Sequence, residues 1–235
     1  MKSGTNSRLL VRRTPLTFTH SGVTWHRLTE VLVRRLGLQE LRRRLWHMAP
    51  GLYPFIFCFI PHVAPESWIW KAVYLIHALI LGASGVYLKR IVCRPHEKSC
   101  LSCAAAYAGV VLGTLLLFPH QPELGMTVLT IIAFGDGSAT LVGLLVKGAR
   151  LPWNARKTWW GTLAFVVFAA PLASMAYWGT AVAPIPFSTA LVCGGTATLV
   201  AALAESLPMR FNDNFLVGLT SAITVTVMHG LTVGW

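Results

Sequence analysis

Seven mostly apolar stretches, roughly 49–64, 67–88, 101–118, 124–146, 161–179, 187–205 and 213–233, fill the chain after its first fifty residues. A helix needs about 20 such residues, range 17–25, to cross the hydrocarbon of a bilayer, and there it satisfies its own backbone. The chain is 54% hydrophobic and only 12% charged, about half the charge of an ordinary soluble domain. These features predict an all-α polytopic membrane protein with about seven transmembrane helices in one domain, residues 46–235. The first span is the weakest, being short and carrying Pro50, Pro54 and Pro61.

The remainder divides in two. Residues 1–26 are polar, basic and free of acids, with no apolar core of a secretory signal, and read as a flexible tail. Residues 27–45 place Leu28, Val31, Leu32, Leu41 and Leu45 near helical spacing among Arg34, Arg35, Arg42, Arg43 and Arg44. That pattern predicts a basic amphipathic helix at the membrane interface, weakened midway by Gly37.

Charge sets the orientation. Ten of the twenty Lys/Arg lie in residues 1–44, contributing much of the net +12. A nucleic-acid-binding tail would leave the apolar remainder unexplained, whereas a cytoplasmic flank at an anionic leaflet explains both. With the N-terminus inside, alternate loops hold Lys89, Arg90, Arg94 and Lys98, then Lys147, Arg150, Arg156 and Lys157, then Arg210. The intervening loops near Pro61–Glu66, His120–Glu123 and Thr180–Pro186 hold none. Lys71 is the one blemish. An integral membrane protein with a cytoplasmic N-terminus is expected, in a bacterial inner membrane foremost, with organellar and ER membranes as alternatives. The pairs Gly109/Gly113 and Gly230/Gly234 would let helices approach closely.

Acids are scarce where it matters. Asp136 and Asp213 are the only aspartates, and with Glu205 they are the only acids after Glu123. A carboxylate at hydrocarbon depth costs roughly 2.5–3.5 kcal/mol on insertion scales unless it is paired, hydrated or bound to a cation. Gly135-Asp136-Gly137 falls in mid-span, where flanking glycines favour a helix break and a polar cavity; the bland alternative is an Asp paired with Lys71 or a His. Asn154-x-Arg156-Lys157-Thr158-x-x-Gly161 stands at a membrane entrance, where the cations and helix-start amides suit phosphate. Arg210-Phe211-Asn212-Asp213-Asn214 adds a second acid that could equally cap the last helix, and Glu205 is either a ligand or an orienter of Arg210. Two carboxylates match what Mg²⁺ uses beside a nucleotide's phosphates. Cys93, His96, Cys100 and Cys103 have the chemistry for zinc, but their spacing favours a reduced loop.

Together the motifs resemble a known family. Arg43-Arg44-x-x-His47, Gly135-Asp136-Gly137-Ser138-Ala139-x-x-Val142-Gly143, Lys157-Thr158-x-x-Gly161-Thr162-x-Ala164, Glu205 and Asp213-Asn214 carry the likeness from about residue 40 onward. They are similar in order and spacing to the membrane kinases of lipid alcohols, which include dolichol kinase, phytol kinase and yeast-type diacylglycerol kinase. Arg44 replaces the family's lysine, and the late acid-rich signature of the related phosphatidate cytidylyltransferases is absent.

The resemblance implies a CTP-dependent lipid-alcohol phosphotransferase. It would move the γ-phosphate of CTP, or another nucleoside triphosphate, to a polyprenol, phytol-like alcohol or diacylglycerol among the membrane lipids. Asp136, Asp213, Lys157 and His47 would be catalytic, with the general base open between His47 and a carboxylate. Arg43, Arg44, Gly135, Gly137, Arg156, Lys157, Thr158, Gly161, Arg210 and Asn214 would bind nucleotide, while Asp136, Asp213 and Glu205 would hold Mg²⁺. The rival expectations are a CDP-lipid synthase and an ion- or solute-coupled transporter. A homodimer is compatible with the sequence.

Overall fold

The computed structural model describes residues 32–58, 72, 76, 100–146, 148–209 and 212–235. The rest of the second apolar stretch, the end of the first, Lys71, Lys147, Arg210, Cys93 and His96 lie outside these, as does the Cys100 side chain.

A short helix over 32–36 ends at Gly37, whose φ of 81° lies where few other residues are tolerated. Helix α1, Leu38–Met48, follows, with Glu40 pairing back onto Arg43 and Arg44 one turn along. A 3₁₀ turn, Ala49–Leu52, leads to α2, Tyr53–Phe57. Pro50 and Pro54 occupy early helical positions, where a missing N–H costs nothing.

Helix α3 is Cys100–Leu117. The next span is one continuous rod: α4, Pro122–Thr130, a π-helical segment, Ile131–Asp136, and α5, Gly137–Val146. Helices α6, Trp159–Thr180, α7, Phe187–Ser206, and α8, Asp213–Thr232, complete the bundle. These four spans are long and apolar enough to cross a membrane, and Ser102–Leu117 of α3 is a shorter apolar helix. The all-α polytopic expectation holds. An element that was not expected joins α5 to α6: an antiparallel hairpin of β1, Arg150–Leu151, and β2, Asn154–Thr158.

The α4–π–α5 rod is the centre of the bundle, with 61% of its apolar window buried against 28% for α8. It packs on α6, which packs on α7, and α8 lies against α7 and α3. Leu124, Ile131, Ile132, Phe165, Tyr177 and Val217 are fully enclosed between them. Outward faces stay apolar, with Leu163, Val167, Leu203, Ile223 and Val227 exposed. Such a surface needs lipid around it. Inside, hydroxyls return to their own helices, as Thr130 does to the Met126 carbonyl at 2.8 Å and Thr198 to that of Gly194 at 2.7 Å.

The small-residue approach occurs at an unforeseen place. A Cβ on Gly194 would stand 2.7 Å from the Ser174 nitrogen, so glycine there lets α7 meet α6 backbone to backbone. Gly109 and Gly113 meet no described atom within 4 Å, and Gly230 receives only the Trp235 ring. Those spacings recur by composition alone, and the crossing point is set by which helix lies opposite.

Candidate active site

Asp136 ends the π-helical segment and is 7% exposed. The expected helix break does not occur. Positive φ is confined, among the described glycines, to Gly37 and Gly234, so neither glycine beside Asp136 uses its backbone freedom. Their use is space: a Cβ on Gly135 would lie 2.5 Å from the Phe165 ring, and one on Gly137 2.4 Å from Met48 Cγ. Backbone amides are therefore re-registered within a helix instead of being laid open. Single π turns of this kind recur at functional sites.

Helix α1 supplies the partners of Asp136. Arg44 Nη1 lies 3.5 Å and His47 Nε2 3.4 Å from its Oδ2. Arg44 Nε also meets Glu40 at 3.1 Å, so one guanidinium bridges two acids. A buried carboxylate without such a partner would cost several kcal/mol. Lys71 is not needed for this pairing. Burial holds the His47 imidazole below its ordinary value; Asp136 opposes that, and Arg44 and Arg43 reinforce it. Arg43 pairs with Glu40 at 3.1 Å.

The hairpin delivers the second half. Buried Asn154 donates through Nδ2 to the carbonyls of Ser206, at 3.1 Å, and Leu207, at 3.3 Å. The last carbonyls of α7 lack partners in their own helix, so this amide pins the hairpin to the helix end. Three residues on, Lys157 reaches down to Glu205 and, at 3.0 Å, to Asp213 Oδ2. Glu205 is enclosed, whereas the Asp213 side chain is 54% exposed, so the site opens at that edge. Burial alone would lower the Lys157 ammonium, but Glu205, Asp213 and Asp136 together push it up to about 12. One ammonium thus ties the hairpin to the end of α7 and the start of α8.

Several expected ligands also make contacts within the frame. Thr158 caps α6, its Oγ1 accepting from the Gly161 amide at 3.1 Å. A Cβ on Gly161 would lie 2.8 Å from the Ala139 carbonyl, so this glycine seats α6 on α5. Ser138 Oγ donates across the same seam to the Ala164 carbonyl at 3.2 Å. Asn212, not Asp213, caps α8, and Asn214 donates to the Cys103 carbonyl at 3.2 Å. Arg156 is exposed beside Lys157. Arg210 lies outside the described residues, so Glu205 is seen only with Lys157.

One contributor gave no signal in the sequence. Tyr107 of α3 packs its ring on His47, centroids 5.2 Å apart. A tyrosine in an apolar helix is ordinary, and only the tertiary contact marks it.

No family model matches the chain, and no solved structure matches it. Curated relatives do. "Phytol kinase 1, chloroplastic" of Arabidopsis thaliana is 23% identical over 215 residues, covering 86% of this chain and 71% of that protein. "Probable phytol kinase 1, chloroplastic" of Oryza sativa subsp. japonica is 24% identical over 210 residues, covering 84% and 67%. "Probable phytol kinase 3, chloroplastic" of Glycine max is 25% identical over 215 residues, covering 85% and 66%.

This chain is similar to phytol kinases over most of its length. Whichever end is left out, a match of 86% takes in both Asp136 and Lys157. The likeness to phytol kinases therefore covers the centre of the site as well as its helical frame.

Among the described residues no group of three or more His, Cys, Asp or Glu forms a ready metal cage. Glu205 is engaged by Lys157. Mg²⁺ beside a nucleotide commonly takes only one or two carboxylates and completes its shell with phosphate and water. Asp136 and Asp213 carry the hard oxygens such an ion takes, and in this structure cations hold them too, Arg44 at Asp136 and Lys157 at Asp213.

Proposed function

We propose that this protein is a membrane kinase of lipid alcohols, transferring the γ-phosphate of CTP, or of another nucleoside triphosphate, to a phytol-like, polyprenyl or diacylglycerol hydroxyl. One observation carries the reading. In a chain whose curated relatives are phytol kinases, α1 brings Arg44 and His47 onto buried Asp136, while the hairpin brings Lys157 between Glu205 and Asp213.

A triphosphate entering at the exposed Asp213 edge would meet Lys157 and Arg44, with Arg43, Arg156 and Arg210 as further cations. Asp136 and Asp213 would hold Mg²⁺, which when bound screens the phosphate charges. Lys157 now spends its charge on carboxylates, and a phosphate would compete for it as transfer shifts charge toward the leaving group.

The alcohol oxygen attacks the γ-phosphorus, the bond from phosphorus to the β-bridging oxygen breaks, and the nucleoside diphosphate leaves with that electron pair. The alcohol's proton goes to His47. Burial favours its neutral form, which supports His47 over the carboxylates as acceptor. The apolar helices make a membrane the setting. A bacterial inner membrane and an organellar membrane, as in the names of the relatives, both accommodate the proposed cytoplasm-like face for the site.

The test is purified protein with γ-labelled CTP and a panel of lipid alcohols, resolved by thin-layer chromatography. Label on the lipid with release of CDP is the expected result. Pyrophosphate release with CMP on a lipid phosphate would instead indicate a CDP-lipid synthase, and no nucleotide turnover with any lipid would end the kinase reading.

A further inference from the structure

We infer that the acceptor's hydroxyl binds between His47 Nε2 and the Tyr107 hydroxyl, against Asp136, which makes Tyr107 a substrate-contacting residue. This rests on the kinase reading and names where the alcohol sits within it.

Two polar atoms in this corner are buried without a hydrogen bond. One is His47 Nε2 and the other is Tyr107 Oη. They belong to stacked rings, 5.2 Å between centroids and tilted by 45°. The imidazole stands at Asp136, with His47 Nε2 3.4 Å from its Oδ2. Buried polar groups are almost always satisfied, so two unpartnered atoms on rings in contact, one of them beside a carboxylate, point to a polar ligand.

The donors and acceptors specify that ligand. An imidazole nitrogen donates or accepts according to its tautomer, and a phenol hydroxyl can do both. A phosphate oxygen would add another negative charge beside Asp136. A hydroxyl fits: it donates to Nε2 and accepts from Tyr107 Oη–H. It also places the transferable proton on the nitrogen that would remove it. Tyr107 thus fixes the oxygen and His47 takes the hydrogen, a division that an ether or a hydrocarbon cannot fulfil.

The experiment compares phytol with phytyl methyl ether on wild type and on Tyr107→Phe, which keeps the ring against His47. Competition against tritiated phytol on nucleotide-free protein in micelles measures binding, and steady-state transfer measures KM for phytol and for CTP. One neutral hydrogen bond corresponds to roughly a three- to tenfold change. Wild type should prefer phytol to the ether by about that factor. Tyr107→Phe should raise KM for phytol by a similar factor while leaving KM for CTP within about twofold. Equal affinity of wild type for alcohol and ether would overturn the inference, and that arm needs no variant. So would an unchanged KM for phytol in Tyr107→Phe, or a parallel rise for phytol and CTP. If wild type phosphorylates no alcohol, the kinase reading fails while the binding arms still judge the hydroxyl site.

Discussion

Among the described residues two polar clusters stand toward opposite ends of the bundle, and they differ in kind. At the candidate site, three acids meet Arg44, Lys157 and His47, and the Asp213 edge is open to solvent. At the far ends of α6 and α8 and the start of α4, Tyr177, His229 and Glu123 form a closed trio, each 5% exposed or less. There the Tyr177 hydroxyl meets His229 Nδ1 at 2.6 Å, the same nitrogen lies 3.9 Å from Glu123, and Trp235 covers the His229 ring. Lys and Arg are absent from it among the described residues. Both clusters place ionisable groups in an apolar bundle, yet among the described residues only the first combines Lys and Arg cations with an edge open to solvent. A polar trio that is closed and lacks cations suits fastening helices, whereas an open, doubly charged one suits a triphosphate.

The strongest way to break this contrast is Asp136→Asn. It keeps the size and the neighbours but removes the charge that Arg44 and His47 share. Transfer of label from γ-labelled CTP should fall by about 10²–10³-fold, the range for losing one electrostatic group at a reacting centre, while the protein still inserts and purifies. Full activity would remove Asp136 from the chemistry and leave the open cluster no more functional than the closed one.

Lys157→Met comes next and separates catalysis from stability. Lost cation and lost phosphate contact should lower turnover by about a hundredfold. The change also strands Glu205, and a buried charge deprived of its partner costs about 3–5 kcal/mol. Adding Glu205→Gln should restore most of the thermal stability and none of the activity. If the double variant recovers activity as well, Lys157 serves the frame alone.

Legibility followed the same division between the clusters. Asp136, Asp213 and Glu205 stood out because charge in or beside an apolar run is expensive, and cost is visible in a linear sequence, whereas Lys157 was marked by its place before a helix start and His47 by the motif Arg43-Arg44-x-x-His47. Glu123 did not stand out, since Pro119 and Pro122 made its neighbourhood read as a loop; in the structure α4 begins at Pro122 and buries it. The hairpin was invisible because its strands are two and five residues long, and what fixes it is Asn154 reaching the end of α7, some fifty residues away. Gly135 and Gly137 were read for backbone freedom when their value is the room they leave for Phe165 and Met48. The helical frame follows from periodicity and length. The side chains that complete the site follow from contacts between helices, which no local pattern encodes.

A milder effect concerns pH. Burial lowers the His47 imidazole from about 6.5, so the fold favours its neutral form. Its contribution to stability is then present above about pH 6.5 and is lost as pH falls through that value toward the lower folded one. Transfer should be level above that point and drop about tenfold per pH unit below the folded value. Lys157, raised to about 12, stays charged throughout, and its contribution disappears only as pH rises from its usual 10.5 through 12. An acid limb that persists unchanged in His47→Gln would assign the proton to another group.

The smallest effect should come from the closed trio, and it is the one that sharpens the comparison most. Tyr177→Phe removes a single 2.6 Å hydrogen bond to His229 and leaves the packing of the ring in place. A net loss of about 1 kcal/mol is the ordinary consequence, read as a modest drop in the melting temperature in detergent. Activity of the surviving folded protein should stay within about twofold of wild type, because no atom of the trio reaches the Asp136 end. Suppose instead that turnover fell as steeply as in Asp136→Asn while the melting temperature hardly moved. The closed cluster would then be coupled to the reaction through α6 and α8, which run between the two ends, and openness would cease to distinguish the functional cluster from the structural one.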